Sequence, residues 1–231
     1  MKTVGIIGGI GPESTIEYYR LIIAAYRKQR TDGGYPSIII NSIDMTRMLG
    51  FVASNELESV TEYLNDQVHR LARAGADFGA LASNTPHIVF DEVSRHSPIP
   101  LISIVEAACS AALDLGLKRV GLFGARFTME GRFYPDLFSR AGIAVIVPEQ
   151  DERDYIHDRY MSELVNGILL DETRERLYSI MDRMKERDGI DGLILGGTEL
   201  PLILTEAEHN GIPLLDTTRI HVERIVAELL S

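Results

Sequence analysis

The chain predicts an α/β fold built twice from one unit, and three observations carry that reading. Apolar runs of strand length alternate with amphipathic stretches from end to end. Segments of the first half return in the second. Val4-Gly5-Ile6-Ile7-Gly8 recurs as Val120-Gly121-Leu122-Phe123-Gly124. Gly75-Ala76-Asp77-Phe78-Gly79-Ala80-Leu81 recurs in outline as Gly189-Ile190-Asp191-Gly192-Leu193-Ile194-Leu195, and Ile99-Pro100-Leu101-Ile102 as Ile212-Pro213-Leu214-Leu215. The offsets are 116, 114 and 113. Finally, two small polar turns, Ala82-Ser83-Asn84-Thr85-Pro86 and Gly196-Gly197-Thr198-Glu199-Leu200-Pro201, lie 114 positions apart, each after a buried-looking strand. Open α/β sheets place their ligand chemistry at such strand ends.

The elements follow in order. Strands are expected near 3–8, 37–42, 78–83 and 100–103, then 119–123, 143–147, 192–196 and 213–216. Helical periodicity fills the intervals, most clearly over 56–74 and 174–187. The stretch 148–188 reads as two helices joined near Gly167. Asp32-Gly33-Gly34-Tyr35-Pro36 is too short for a domain linker and reads as a turn into the second strand. Four strands per copy favour two small parallel sheets with helices on both faces, although the count alone also fits an eight-stranded barrel. The division reads as a first domain of 1–100 plus about 217–231 and a second of 101–216. The last helix is expected to cross back to the first copy, and the matching turns are expected to face a shared cleft.

Composition bounds the function. The 231 residues are 45% hydrophobic and 25% charged, as in an ordinary soluble protein. A net charge of −11 without a basic patch argues against a nucleic-acid partner. Nothing reaches membrane-spanning length, and no signal peptide is expected, so the reading is cytoplasmic. The single cysteine, Cys109, sits in a run of small helical residues and reads as a buried, inert thiol. The histidines have no ligand spacing, so no metal is assigned.

Several residues could carry chemistry. Gly8-Gly9-Ile10-Gly11-Pro12-Glu13-Ser14-Thr15 follows a strand and opens a helix, where free N–H groups suit a carboxylate or single phosphate. Ser14 stands where the dinucleotide fingerprint needs a glycine, and the phosphate-loop lysine is missing. A tight turn capped near Ser14 is the competing reading. Ser83, Asn84 and Thr85 offer a hydroxyl, an amide and a hydroxyl at one strand end; Thr198 and Glu199 stand at the other. His87, four residues after Ser83, could serve as its base or be a partly exposed helix histidine. Thr128 could cap a helix or hold a carboxylate. Arg47 could pair with a second carboxylate or lie on the surface.

Taken together, these motifs resemble the aspartate/glutamate racemase superfamily, especially its aspartate racemase branch. The likeness covers essentially the whole chain. It rests on the first loop through Thr15, on Asn84-Thr85-Pro86-His87, on Gly196-Gly197-Thr198-Glu199, and on Arg126-Phe127-Thr128-Met129-Glu130 with Phe133-Tyr134. The resemblance implies pseudo-symmetric three-layer α/β/α domains, no cofactor, a homodimer, and inversion at Cα of an acidic amino acid by two cysteines. Those thiols would stand at 83 and 197, where this chain has Ser83 and Gly197. A thiol can trade a proton in both directions near neutral pH, whereas a serine hydroxyl is too weak an acid and glycine carries no group. Two-thiol racemisation is therefore excluded. Nothing else in the chain suggests engineering, so the replacements read as natural divergence.

Three readings stay open. One is an isomerase acting on a small carboxylate through substitute groups, with Ser83, the 197 position and Glu199 as catalytic candidates and Gly11, Thr15, Arg47, Asn84, Thr85, Thr128 and Thr198 as binding candidates. The second is a decarboxylase or lyase on a related acid. The third is an inactive carboxylate-binding homologue.

Overall fold

A computed structural model describes residues 2–30 and 32–231. The chain divides into two compact units, one of Met1–Ile104 with Thr218–Ser231, the other of Val105–Thr217.

In the first unit, β1 (Thr3–Gly8), β2 (Ser37–Ser42), β3 (Phe78–Leu81) and β4 (Leu101–Ile102) form a sheet ordered β2-β1-β3-β4. Every pairing is parallel. Helices α1 (Pro12–Gln29), α2 (Met45–Ala53), α3 (Leu57–Arg73) and α4 (Phe90–His96) connect the strands. Helix α3 reads at helical spacing, with Val60, Leu64, Val68 and Leu71 buried on one face. Helix α5 (Ile104–Asp114) leads into the second unit.

The second unit repeats the plan. Strands β5 (Arg119–Gly124), β6 (Ala144–Ile146), β7 (Gly192–Gly196), β8 (Glu208–His209) and β9 (Ile212–Asp216) are ordered β6-β5-β7-β9-β8. The first four places match the order of the first sheet, so the repeats seen in the sequence are repeats of topology. The barrel alternative falls, because the strands close into two separate sheets. The strand β8, antiparallel to β9, is an addition that the sequence reading lacked. Two residues carry too little periodicity to announce a strand. Between β5 and β7 lie α6 (Arg126–Glu130), α7 (Phe133–Arg140), α8 (Gln150–Ser162) and α9 (Asp171–Asp188). As expected, α8 and α9 meet near Gly167, which takes the left-handed conformation after a short 3-10 turn.

An acidic residue does the same work in each copy. In the first, the Asp77 carboxylate accepts the Thr3 backbone N–H at 2.7 Å while the Asp77 N–H donates to the Thr3 carbonyl. In the second, Asp191 accepts from Lys118 and Arg119 at 2.8 and 2.9 Å and donates to the Arg119 carbonyl. Each clamps the start of its unit's central strand.

After β7, α10 (Leu200–Ile203) precedes the β8–β9 pair, and α11 (Thr217–Leu230) ends the chain. Val222, Ile225, Val226 and Leu229 of α11 join Val4, Tyr18 and Phe78 in the core of the first unit. His221, also on α11, is buried, donating from Nε2 to the Ile102 carbonyl at 2.9 Å and accepting at Nδ1 from the Tyr18 hydroxyl at 2.8 Å. No described helix is long and apolar enough to cross a membrane.

Candidate active site

The polar residues of the first unit gather at the carboxyl ends of β1, β2 and β3. The loop after β1 turns on Gly9, whose φ is +85°. A Cβ there would run into the Ile43 backbone, so only glycine suits the position. The Thr15 hydroxyl accepts the Gly9 N–H at 2.8 Å and lies 3.3 Å from the Gly11 carbonyl. Thr15 therefore shapes the loop. Helix α1 begins at Pro12 with Gly11 as its N-cap, which removes the alternative of a cap at Ser14. Its first-turn N–H groups stand at the end of β1.

The chain leaves β3 through Ser83 and Asn84 into a 3-10 turn, Thr85–Val89. Ser83, Asn84, Thr85 and His87 are all buried. The His87 Nδ1 lies 3.0 Å from the Ser83 carbonyl, and its Nε2 lies 3.2 Å from the Ile104 N–H. A carbonyl can only accept and an amide N–H only donate, so the proton sits on Nδ1 and the lone pair on Nε2. Burial, with His221 nearby, pulls this imidazole down to about 3. His87 is thus a buried, neutral ring tied to the backbone on both sides. It is neither the exposed histidine of the simpler reading nor a base aimed at the Ser83 hydroxyl.

Arg47 lies apart from that turn, on α2. Asp44 caps this helix, its carboxylate accepting from Thr46 and Arg47 at 2.9 and 3.2 Å. The guanidinium stands over the Tyr63 ring at 4.9 Å. It lines a cavity of about 440 Å³ with Asn41, Ser42, Tyr63 and Arg70, open to the carboxyl end of β2.

In the second unit, Thr128, Gly197, Thr198 and Glu199 are brought together. Thr128, on α6, packs its Cβ and Cγ2 against Gly124 and Gly196. It is 1% exposed, and its hydroxyl finds no hydrogen-bond partner among the described residues. The N-cap of α6 is Ala125, so Thr128 does not cap it. The His157 Nδ1 accepts the Arg126 N–H at 3.2 Å, tying α6 to α8.

Glu199 is 3% exposed. Its Oε2 accepts from the Thr198 hydroxyl at 2.9 Å and from the Tyr160 hydroxyl in a short hydrogen bond. Burial first, and then the Glu199 charge, push the Tyr160 phenol far above the usual tyrosine range. Tyr160 is the functional candidate that sequence reasoning missed. It sits on the polar helix α8, and no local motif ties it to Gly197.

Cys109 lies on α5, 5% exposed, with its thiol raised by burial and by Glu106. That environment suits a packing residue. Among the described residues, no three histidine, cysteine, aspartate or glutamate side chains are grouped to hold a metal ion.

This arrangement of paired strand-end turns on two like units has known relatives. A family model for Asp/Glu/Hydantoin racemases matches residues 7–225. An aspartate racemase homologue from Pyrococcus horikoshii OT3, solved as a crystal structure, is 34% identical. It covers all of both chains with a TM-score of 0.85. A broad specificity amino-acid racemase, RacX of Bacillus subtilis, is 21% identical over 99% of this chain and 98% of its own. A glutamate racemase from Francisella tularensis shares the fold, with a TM-score of 0.63 at 16% identity over 99% of this chain and 81% of its own. The chain belongs to the Asp/Glu/hydantoin racemase family.

Proposed function

We propose that this protein is an isomerase-type enzyme that moves a proton at Cα of an amino acid or related small carboxylate without using a thiol. The observation that carries this reading is the buried Glu199 carboxylate, held by two hydroxyls on one oxygen at the end of β7. It stands two positions from Gly197, where the family resemblance expects a cysteine. A carboxylate there supplies what glycine cannot, a group that takes up and returns a proton. Ser83 offers only a hydroxyl, since His87 is committed to the backbone. A hydroxyl without a base does not take up the α-proton, so Glu199 carries the exchange.

Loss of the α-proton leaves a carbanion whose charge spreads into the substrate carboxylate. The Thr128 hydroxyl, without a hydrogen-bond partner among the described residues, suits those oxygens in the second unit, and the N–H groups at the start of α1, near Gly11, suit a carboxylate in the first. Thr15 holds that loop, Asn84 and Thr85 add polar groups in the first unit and Thr198 in the second, and Arg47 suits the second carboxylate of an acidic substrate. Likeness to a broad specificity amino-acid racemase supports an amino acid as the substrate. The same reading has the protein working in the cytoplasm as a homodimer without a cofactor, and sedimentation tests the dimer.

The experiment is deuterium uptake. The protein is incubated in D₂O with L- and D-aspartate, glutamate and neutral amino acids, and the Cα–H signal is followed by NMR. Exchange is expected for at least one of these, with a drop of about 100-fold or more for Glu199→Gln. Absence of exchange from every amino acid ends the isomerase reading. A ligand that binds unchanged then marks a binding protein, and CO₂ release from a malonate-type acid marks a lyase.

A further inference from the structure

The space that Gly197 leaves is filled. A Cβ at 197 would meet Cε2 of Tyr160 at 2.5 Å and both Cζ and Oη at 2.9 Å. The phenol of a residue on α8 therefore occupies the place where the side chain of 197 would begin. Its hydroxyl donates to Glu199 Oε2, the oxygen that also accepts from Thr198. The loss of a side chain at 197 and the presence of an aromatic hydroxyl in its place are one structural fact.

We propose that Tyr160 is the catalytic residue on the 197 side, passing the proton between substrate Cα and Glu199. This rests on the proton-transfer reading above and names the atom that performs it. In the forward step the Cα–H bond breaks and its proton joins Tyr160 Oη. In the same movement the phenolic O–H bond breaks and that proton joins Glu199 Oε2. The substrate keeps the electron pair as a carbanion, and Glu199 becomes a neutral acid. The reverse step returns one proton from Glu199 to Oη and one from Oη to Cα. Tyrosine is neutral before and after each step, so the relay uses the phenol in the form its buried setting favours. Thr198 keeps the carboxylate turned toward Oη and is a positioning residue.

Tyr160→Phe keeps the ring that fills the space and removes only the hydroxyl. The experiment measures Cα deuterium exchange for each enantiomer of the best substrate, together with binding of that enantiomer. The expected result is a loss of about 100-fold or more in exchange of the enantiomer whose Cα–H faces Tyr160, with binding changed less than about threefold. Exchange of the other enantiomer changes less than about threefold. Placing 3,5-difluorotyrosine at 160 covers the case of a poorly folding phenylalanine variant. It preserves size and hydroxyl but makes the phenol more acidic, and the pH profile of exchange should move to lower pH. Wild-type exchange that survives Tyr160→Phe, falls equally for both enantiomers, or keeps its pH profile with the fluorinated ring overturns the Tyr160 role while leaving the isomerase reading intact. No wild-type exchange at all overturns both.

Discussion

At the scale of single residues, the 197 position shows that the side chain a glycine lacks does not leave a simple vacancy. Glycine there lets the Tyr160 ring lie against the backbone, with its Cε2 2.5 Å from where a Cβ would stand. A cysteine placed there alone would therefore meet an aromatic ring in a packed setting. Gly197→Cys is expected to cost about 1–3 kcal/mol of stability, the usual range for overpacking a core. Adding Tyr160→Ala should recover part of that loss, and a double-mutant cycle by chemical denaturation reads the coupling. If the two changes add independently, the ring does not occupy the space in solution. His87 teaches the complementary lesson. Its distance from Ser83 in sequence suggests a base, yet both ring nitrogens are bound to the backbone.

At the scale of elements, each unit opens with a strand whose first backbone groups are held by an aspartate from the loop before the next central strand. The clamp is stronger in the second unit, where both Asp191 oxygens are used, than in the first, where Asp77 accepts one N–H. Hydrogen bonds to a charged group are the stronger kind, though exposure to water trims them here. Asp191→Ala is expected to destabilise by about 1–2 kcal/mol, and Asp77→Ala by less. Urea denaturation of the two variants checks the order, and equal losses would show that the second bond contributes nothing. The helices around the site are positioned in the same local way. Asp44 caps α2 and so sets Arg47, while His157 holds the first turn of α6 and so sets Thr128.

At the scale of the whole molecule, two buried histidines make the first unit sensitive to acid. His221 ties α11 to β4 and α1, and His87 ties the 83–87 turn to the start of α5. Each ring has one nitrogen accepting a hydrogen bond, so protonation breaks a native contact. Burial lowers His221 to about 4, and burial with His221 nearby lowers His87 to about 3, from an ordinary 6.5. The unfolded chain takes up these protons first, so stability is full above 6.5 and declines as pH falls through the folded values. Each histidine contributes a slope that reaches roughly 1.4 kcal/mol per pH unit well below 6.5, or about 3 kcal/mol for the pair between pH 6.5 and 5. Denaturation at the two pH values tests this. His221→Gln should halve the slope, and an unchanged slope would place the acid sensitivity elsewhere.

The duplication was readable from residues because identical strand and turn demands recur at one offset. Val4-Gly5-Ile6-Ile7-Gly8 and its echo at 120–124 both became central strands, in sheets of matching order. The strand-end turns, the glycine loop and the residues at 83 and 197 were equally visible, since each is local in the chain. What the tertiary structure alone decided is which side chains share a space. Tyr160 reaches Glu199 across 39 positions, and Thr128 lies on Gly196 with its hydroxyl unpartnered among the described residues. His87 likewise turns from Ser83's hydroxyl to the backbone of Ile104. Local periodicity and turn chemistry act over a few residues, so they announce elements and motifs. Packing between distant elements fills the space a glycine leaves, and no nearby residue records what will fill it.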